Sequence, residues 1–204
     1  QTFIIRQDER PTEALKSGAD ASICGDCPHR PKVVLDPKGR AKTVRSCYVN
    51  VGQSVNGVYD CYVSGGYERV TPEEAARLMA GREVRMGAYG DPAMLPIEVW
   101  LPIVAVANFN TGYTHQWDKI DPAWSGFLMA SCDSEAEHKR ARAAGWRGFV
   151  VTAKGAKAPE GAVLCMSDRE RNPLQCIDCG AWGGTRMGSK PNAISIYIEA
   201  HGSG

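Results

Sequence analysis

The chain has 204 residues, enough for one sizeable domain with its own core, and its 24 Lys and Arg against 23 Asp and Glu leave a net charge of +1. That balance excludes the overall basic field that drives nonspecific nucleic-acid binding. No run of about 18 apolar residues is present, and the opening QTFIIRQDER lacks the order of a signal peptide, so a soluble, unexported chain with no membrane partner is expected.

The predicted elements begin with TFIIR, Thr2 to Arg6, as a first strand, followed by a short helix from Pro11 that stops near Gly18. Cys24 and Cys27 come next. The segment KVVLDPKGRAKTVR reads as two extended runs around the turn DPKG, a hairpin insertion ending just before Cys47. Val55, Val58, Tyr59 and Tyr62 fall at i, i+3, i+4 and i+7, which predicts a helix. Cys24, Cys27 and Cys47 therefore share one long loop between the first strand and the first long helix.

Thr71, Pro72 and Glu74 supply an N-cap, an N1 proline and a capping-box acid for a helix ending near Gly81. Strand-like EVRMGAY and the turn GDP follow. Ile97, Trp100, Leu101 and Val104 predict another helix, with a kink at Pro102. FNTGYTH and FLMAS are short strands separated by the loop DKIDPAW. Ser134 and Glu137 form a second capping box, and Gly145 stands at the C-cap position of that helix. GFVVT, AVLCM and ISIYIEA complete the strands, the last two separated by a cysteine-rich loop at about 165–180.

Strands starting near residues 2, 83, 109, 126, 148, 162 and 193 alternate with helices, and they are mostly apolar. That pattern predicts a parallel sheet covered by helices. The expected fold is α/β, an open or closed (β/α) barrel of about six to eight mainly parallel strands, with a doubly wound parallel sheet as the alternative. One domain is expected over residues 1–204.

Eight cysteines, at 24, 27, 47, 61, 132, 165, 176 and 179, are many for a reducing compartment, where metal or redox chemistry is the more frequent use of thiols. In parallel α/β folds chemistry gathers at the C-terminal ends of the strands. Cys24, Cys27 and Cys47 follow the first strand, Cys165 ends the sixth, and Cys176 and Cys179 lie in the loop beyond, so both groups are expected on one face. Two C-x-x-C pairs point to iron–sulfur clusters or zinc; disulfides or ordinary buried thiols are the third reading. Six thiolates exceed one four-coordinate site, and they suit either two clusters or one four-thiolate site plus two free cysteines. Cys61 is expected to pack within its helix or face solvent.

In GAYGDP the first reading is a tight turn with Asp91 capping the next helix, and the second places Gly87, Gly90 and Asp91 at a pocket. Tyr113, His115 and Trp117 alternate at strand spacing, so all three are expected on one side. There they form a buried aromatic cluster or, if the strand lines a barrel, present His115 for proton transfer near the mouth. His29 and Arg30, beside Cys27, are expected at the surface, with hydrogen bonding to cluster sulfurs or anion binding as the second reading, and EHKRARAA as the solvated face of a helix.

The stretches ICGDCPHR, CYVNVG, GAYGDP, TGYTHQW, MASCDS, AGWRGF and CIDCG together resemble an uncharacterised family of bacteriophage-encoded cysteine-rich proteins. That resemblance implies a phage protein acting in the host cytoplasm. It also implies that Cys24, Cys27, Cys47, Cys165, Cys176 and Cys179 matter where Cys61 and Cys132 do not. More loosely, the chain resembles the radical S-adenosylmethionine barrel, in which three cysteines after the first strand hold a [4Fe–4S] cluster and a glycine-rich segment after the second contacts the cofactor. Gly87 to Gly90 stand in the comparable place. The usual C-x-x-x-C-x-x-C is absent, because a hairpin separates Cys47 from Cys27, and GAYGDP departs from Gly-Gly-Glu.

The expectation is a phage-encoded protein with one or two iron–sulfur clusters, [4Fe–4S] by the resemblance, at the C-terminal mouth, with redox or radical chemistry and S-adenosylmethionine as a cofactor. Its partner would be a small molecule or a host or phage protein. The alternative is a zinc-stabilised binding module. Neither a GxxGxGK-like phosphate loop nor a basic aromatic platform is present, so no nucleic-acid partner is expected.

Overall fold

The computed structural model describes residues 1–168, Leu174 and residues 194–200. The N-terminal segment runs parallel to residues 85–89. Phe3 bridges Tyr89, the Thr2 and Ile4 amides donate to the Arg85 and Tyr89 carbonyls at 2.9 Å each, and the Ala88 amide donates to the Thr2 carbonyl at 2.8 Å. α1 (Pro11–Ser17) starts on its proline and ends where Gly18 takes φ +81°. A one-turn helix, α2 (Ala21–Cys24), leads into the first cysteine pair.

The predicted hairpin is present. β1 (Lys32–Leu35) pairs antiparallel with β2 (Ala41–Val44) in the register Lys32↔Val44, and every residue of both strands is exposed. Asp36 closes the turn by accepting from the Lys38 and Arg40 amides at 2.8 and 2.9 Å. A π-helical turn over Val51–Val55 opens α3 (Asn56–Val63). α4 (Pro72–Met79) carries the complete Thr71/Glu74 capping box.

β3 (Glu83–Arg85) lies parallel to β4 (Phe109–Thr111), with α5 (Ile97–Val106) between them in sequence. β4 continues through Gly112 into β5 (Tyr113–Thr114), which pairs with β6 (Met129–Cys132). α6 (Glu135–Ala143) connects β6 to β7 (Gly148–Thr152), and β9 (Ser195–Glu199) then stands between β7 and β8 (Ala162–Leu164). Every one of these pairings is parallel. From the N-terminal segment to β7 the strands follow chain order; the last two exchange places.

Side-chain alternation divides the sheet into two faces. Leu128, Ala130, Cys132 and Val150 join Val84 and Met86 in one buried core, to which α4 gives Ala76, α5 gives Trp100, Ile103 and Val104, and α6 gives Ala141. Met129 and Ile196 pack in a second, smaller cluster with Phe109, Tyr113, Phe149 and Cys165. A doubly wound sheet carries helices on both faces, whereas these three pack on one. Among the described residues the sheet is open, with the N-terminal segment near one edge and β8 at the other.

Two local differences from the predicted elements have clear causes. FNTGYTH is divided at Gly112, where a Cβ would lie 2.7 Å from Leu128 Cδ2 and 3.0 Å from Met86 Cβ, so close packing there demands glycine. FLMAS starts later than expected, because Asp121 caps a 3₁₀ turn over Pro122–Gly126 that uses up its approach.

Candidate metal centre

The loop after the N-terminal segment is built around Arg30. Its guanidinium donates Nε–H to Asp20 Oδ2 at 2.7 Å and Nη2–H to Asp20 Oδ1 at 2.9 Å, and it reaches the Gly25 and Gly18 carbonyls at 3.2 and 3.0 Å. Asp20 is fully buried. Arg30 was expected at the surface; it instead ties the first cysteine turn together, because a bidentate fork matches a carboxylate and leaves donors for carbonyls. Gly25 takes φ +57°, and a Cβ there would lie 2.7 Å from the Gln116 side chain.

Within this loop the Cys27 amide donates to the Cys24 carbonyl at 3.3 Å, and the Cys47 amide donates to the His29 carbonyl at 3.2 Å. The hairpin thus returns Cys47 to the first two cysteines. Burial pushes the Cys24 thiol up to about 12, with Asp20, Cys27 and Cys47 adding to the rise. Burial thus disfavours the Cys24 thiolate in the absence of a cation, and a bound cation reverses that preference.

His115 follows β5 at the C-terminal end of the sheet. Its amide donates to Asp91 Oδ2 at 2.9 Å, and its ring Nε2 lies 3.3 Å from Asp133 Oδ2. That ring nitrogen is buried and lacks hydrogen-bond alignment with any described group, so the approach is a charge contact. His29 uses both ring nitrogens: Nδ1 is 2.8 Å from Ser46 Oγ and Nε2 is 2.9 Å from Asp133 Oδ1. The two imidazoles meet edge to face at 5.4 Å. Burial alone would lower the His115 pKa, but its contacts with Asp133 and Cys27 outweigh that and hold it at about 10. Asp133 is held well below the usual carboxylate range, the two histidines outweighing the opposing effect of burial.

His29, His115 and Asp133 form the one set of three or more His, Cys, Asp or Glu donors among the described residues whose ligand atoms all lie within 4.8 Å of one another. Two sulfurs on one tetrahedral zinc, at Zn–S of about 2.3 Å, would be about 3.8 Å apart. Cys24, Cys27 and Cys47 do not form a further such set. A cleft of about 200 Å³ opens beside the set, lined by His115, Asp133, Asp26, Lys119, Glu137 and Arg140 among others.

The remaining predicted residues have different placements. Asp91 is buried with both oxygens engaged, Oδ1 accepting from the Ala93 amide at 3.0 Å and Oδ2 from His115; it caps the 3₁₀ turn Pro92–Met94. Gly87 and Gly90 take φ +62° and +78°. A Cβ on Gly87 would meet Gly90 O and Pro92 at 2.7 Å, and one on Gly90 would meet Ile4 Cβ at 2.7 Å. All three serve backbone packing, and none lines the cleft. Tyr113 packs against Phe149 with ring centroids 4.4 Å apart and planes tilted by 51° in the second cluster, while Trp117 joins the helix-side core. The expected alignment of Tyr113, His115 and Trp117 fails because the strand stops at Thr114.

Cys165, immediately after β8, is buried against Met129 and Ile196, with Sγ 3.0 Å from Ser167 Oγ. No described contact joins it to the early cysteines. Cys176 and Cys179 lie outside the described residues. Cys132 is fully buried in the helix-side core, and burial raises its thiol to about 12; Cys61 is half-buried on α3. His29 was expected at the surface, and Asp133 was missed altogether. The signal for both was position: His29 stands two residues after Cys27, and Asp133 directly follows the end of a parallel strand, where such folds place their chemistry. EHKRARAA is solvated only in part, because His138 and Ala141 are buried within it.

Comparison with family models, with curated proteins and with solved structures finds no match to this chain.

Proposed function

We propose that this chain is a phage-encoded iron–sulfur protein whose cluster is held by Cys24, Cys27 and Cys47 at the C-terminal end of the sheet. The observation that carries the reading is the return of Cys47 to the Cys24–Cys27 turn through the hairpin, which gathers three half-buried thiols in the loop after the first extended segment. The three sulfurs do not all fall within 4.8 Å of one another, which favours a cluster, since a cluster takes its thiolates on separate iron atoms and a single ion takes them on one. When bound, a cluster of this kind supplies electron transfer or an open iron for a small molecule.

The protein's own contribution is to hold the donors and tune their surroundings. Arg30 fixes the turn, and the His115 ring lies against Cys27. Cys165, with Cys176 and Cys179, supplies the second group of thiols in this reading, for a second cluster or for completion of the first. The backbone roles of Gly87 and Gly90 weaken the case for S-adenosylmethionine there. A zinc-stabilised binding module is the competing reading, favoured by the histidines and carboxylate beside the thiols.

Anaerobic purification followed by iron, acid-labile sulfide and zinc analysis separates the two. Brown protein with iron and sulfide in matching amounts is expected. Colourless protein containing zinc and no sulfide rejects the cluster.

A further inference from the structure

We infer that His29, His115 and Asp133 form a separate binding site for one first-row divalent cation such as Zn²⁺, Fe²⁺ or Co²⁺, next to the cysteine loop but not made of thiols. Two imidazoles and one carboxylate are a donor set for these borderline ions rather than for Mg²⁺ or Ca²⁺, which take oxygen.

The distances fit one ion. Bonds of about 2.0–2.1 Å place adjacent ligand atoms about 2.9 Å apart in an octahedron and about 3.3 Å apart in a tetrahedron. Asp133 turns one oxygen to each imidazole, Oδ1 at 2.9 Å from His29 Nε2 and Oδ2 at 3.3 Å from His115 Nε2, and one ligand atom from each of the three residues lies within 4.8 Å of the others.

Three further observations favour an ion over a simple ionic contact. The His115 Nε2 atom is buried and faces the Asp133 carboxylate at 3.3 Å without hydrogen-bond alignment, a placement that an ion between the two would use. His29 has its other ring nitrogen on Ser46 Oγ at 2.8 Å, the kind of outer contact that fixes a ligating imidazole in one orientation. The cleft lined by His115 and Asp133 also carries Asp26, Asp118 and Glu137 against Lys119 and Arg140, with Asp26 paired to Lys119 at 2.7 Å, so a cation has an open path with a small excess of negative charge.

The three donors come from distant parts of the chain. His29 belongs to the cysteine loop, His115 follows β5 and Asp133 follows β6. An ion here would clamp that loop to two neighbouring strand ends.

Cobalt(II) is the probe, and it is titrated into two full-length proteins. One is wild type carrying its reconstituted cluster; the other is the C24S/C27S/C47S variant, checked by circular dichroism for folded structure. In both, one equivalent of Co²⁺ is expected to bind, with visible d–d bands and no sulfur-to-cobalt charge transfer. Cobalt-edge X-ray absorption should show nitrogen and oxygen neighbours with imidazole scattering. Adding His29→Ala or Asp133→Asn to the triple-serine protein should weaken binding more than tenfold, and Ser46→Ala about tenfold.

Absence of binding to the folded triple-serine protein overturns the site, as does sulfur in the cobalt shell of the wild type or unchanged affinity in the His29 and Asp133 variants. Failure of the cluster to assemble, with Co²⁺ still bound through nitrogen and oxygen, removes the cluster reading and leaves this site standing.

Discussion

Arg30 grips both oxygens of Asp20, at 2.7 and 2.9 Å, and Asp20 is fully buried while the arginine side chain keeps 22% exposure. Removing the arginine strands a carboxylate away from water. Arg30→Met should therefore cost about 3 kcal/mol, the range for breaking a buried pair. Arg30→Lys should recover only part of that, because one ammonium cannot form the fork and also reach Gly18 and Gly25. Urea denaturation measures both, and an unchanged midpoint in Arg30→Met would contradict the role assigned to this pair.

The thiols should separate into two classes on substitution. Serine at Cys24, Cys27 or Cys47 is expected to lower bound iron and sulfide severalfold, and the same is expected at Cys165, Cys176 and Cys179. Cys61→Ser should leave metal content unchanged. Cys132→Ser should also keep the metal but lose about 1 kcal/mol of stability, since it puts a hydroxyl into a fully buried apolar site. Metal analysis alongside thermal melts makes the comparison; loss of metal from Cys132→Ser would break the division.

Gly90 offers a purely mechanical prediction. Its φ of +78° disfavours any side chain, and a Cβ would stand 2.7 Å from Ile4 Cβ and 2.9 Å from the Ile4 carbonyl oxygen. Gly90→Ala should cost at least ~2 kcal/mol, strain and overpacking adding together. Gly39, at the exposed hairpin turn, has φ +75° but nothing within 4 Å of a built Cβ, so Gly39→Ala should cost about 1 kcal/mol. Equal losses in the two melts would refute the packing argument.

His138 makes stability depend on pH. It is 1% exposed, and burial together with the charge of Arg142 lowers its pKa below the ordinary 6.5. Below that value the unfolded chain takes up a proton that the folded chain refuses. The contribution is therefore intact above about pH 6.5 and is lost as pH falls toward the folded value, by at most about 1.4 kcal/mol per pH unit. His138→Gln should flatten the stability profile between pH 7 and 5 in chemical denaturation. An identical slope in the two proteins would exclude His138 as its source.

Most of the architecture was legible because it rests on local rules. The Thr71 and Ser134 caps, the hairpin and the α3 helix all follow from spacing and hydrogen-bond chemistry within a few residues. What was not legible depends on contacts across the chain. Asp133 gains its meaning from His29, 104 positions away, and no window of sequence contains both. Tyr113 and His115 parted company because a strand ended one residue after Tyr113, and boundaries are the least local of secondary-structure features. The exchange of β8 and β9 is likewise a matter of pairing, which side-chain periodicity does not encode.

The hairpin between Cys27 and Cys47 changes what a spacing means. Lys32 and Val44 are directly paired, so the insertion leaves and re-enters the loop at nearly the same point. In three dimensions the interval between those cysteines is a few residues long, whatever its length in letters. A pattern search that fixes that interval would miss a relative whose hairpin is longer, shorter or absent. One that anchors on Cys24, Cys27, His29 and Cys47 while leaving the gap free follows the geometry. The same independence makes the turn at Gly39 a natural place to graft a tag or fluorophore, at a distance from the thiols it would report on.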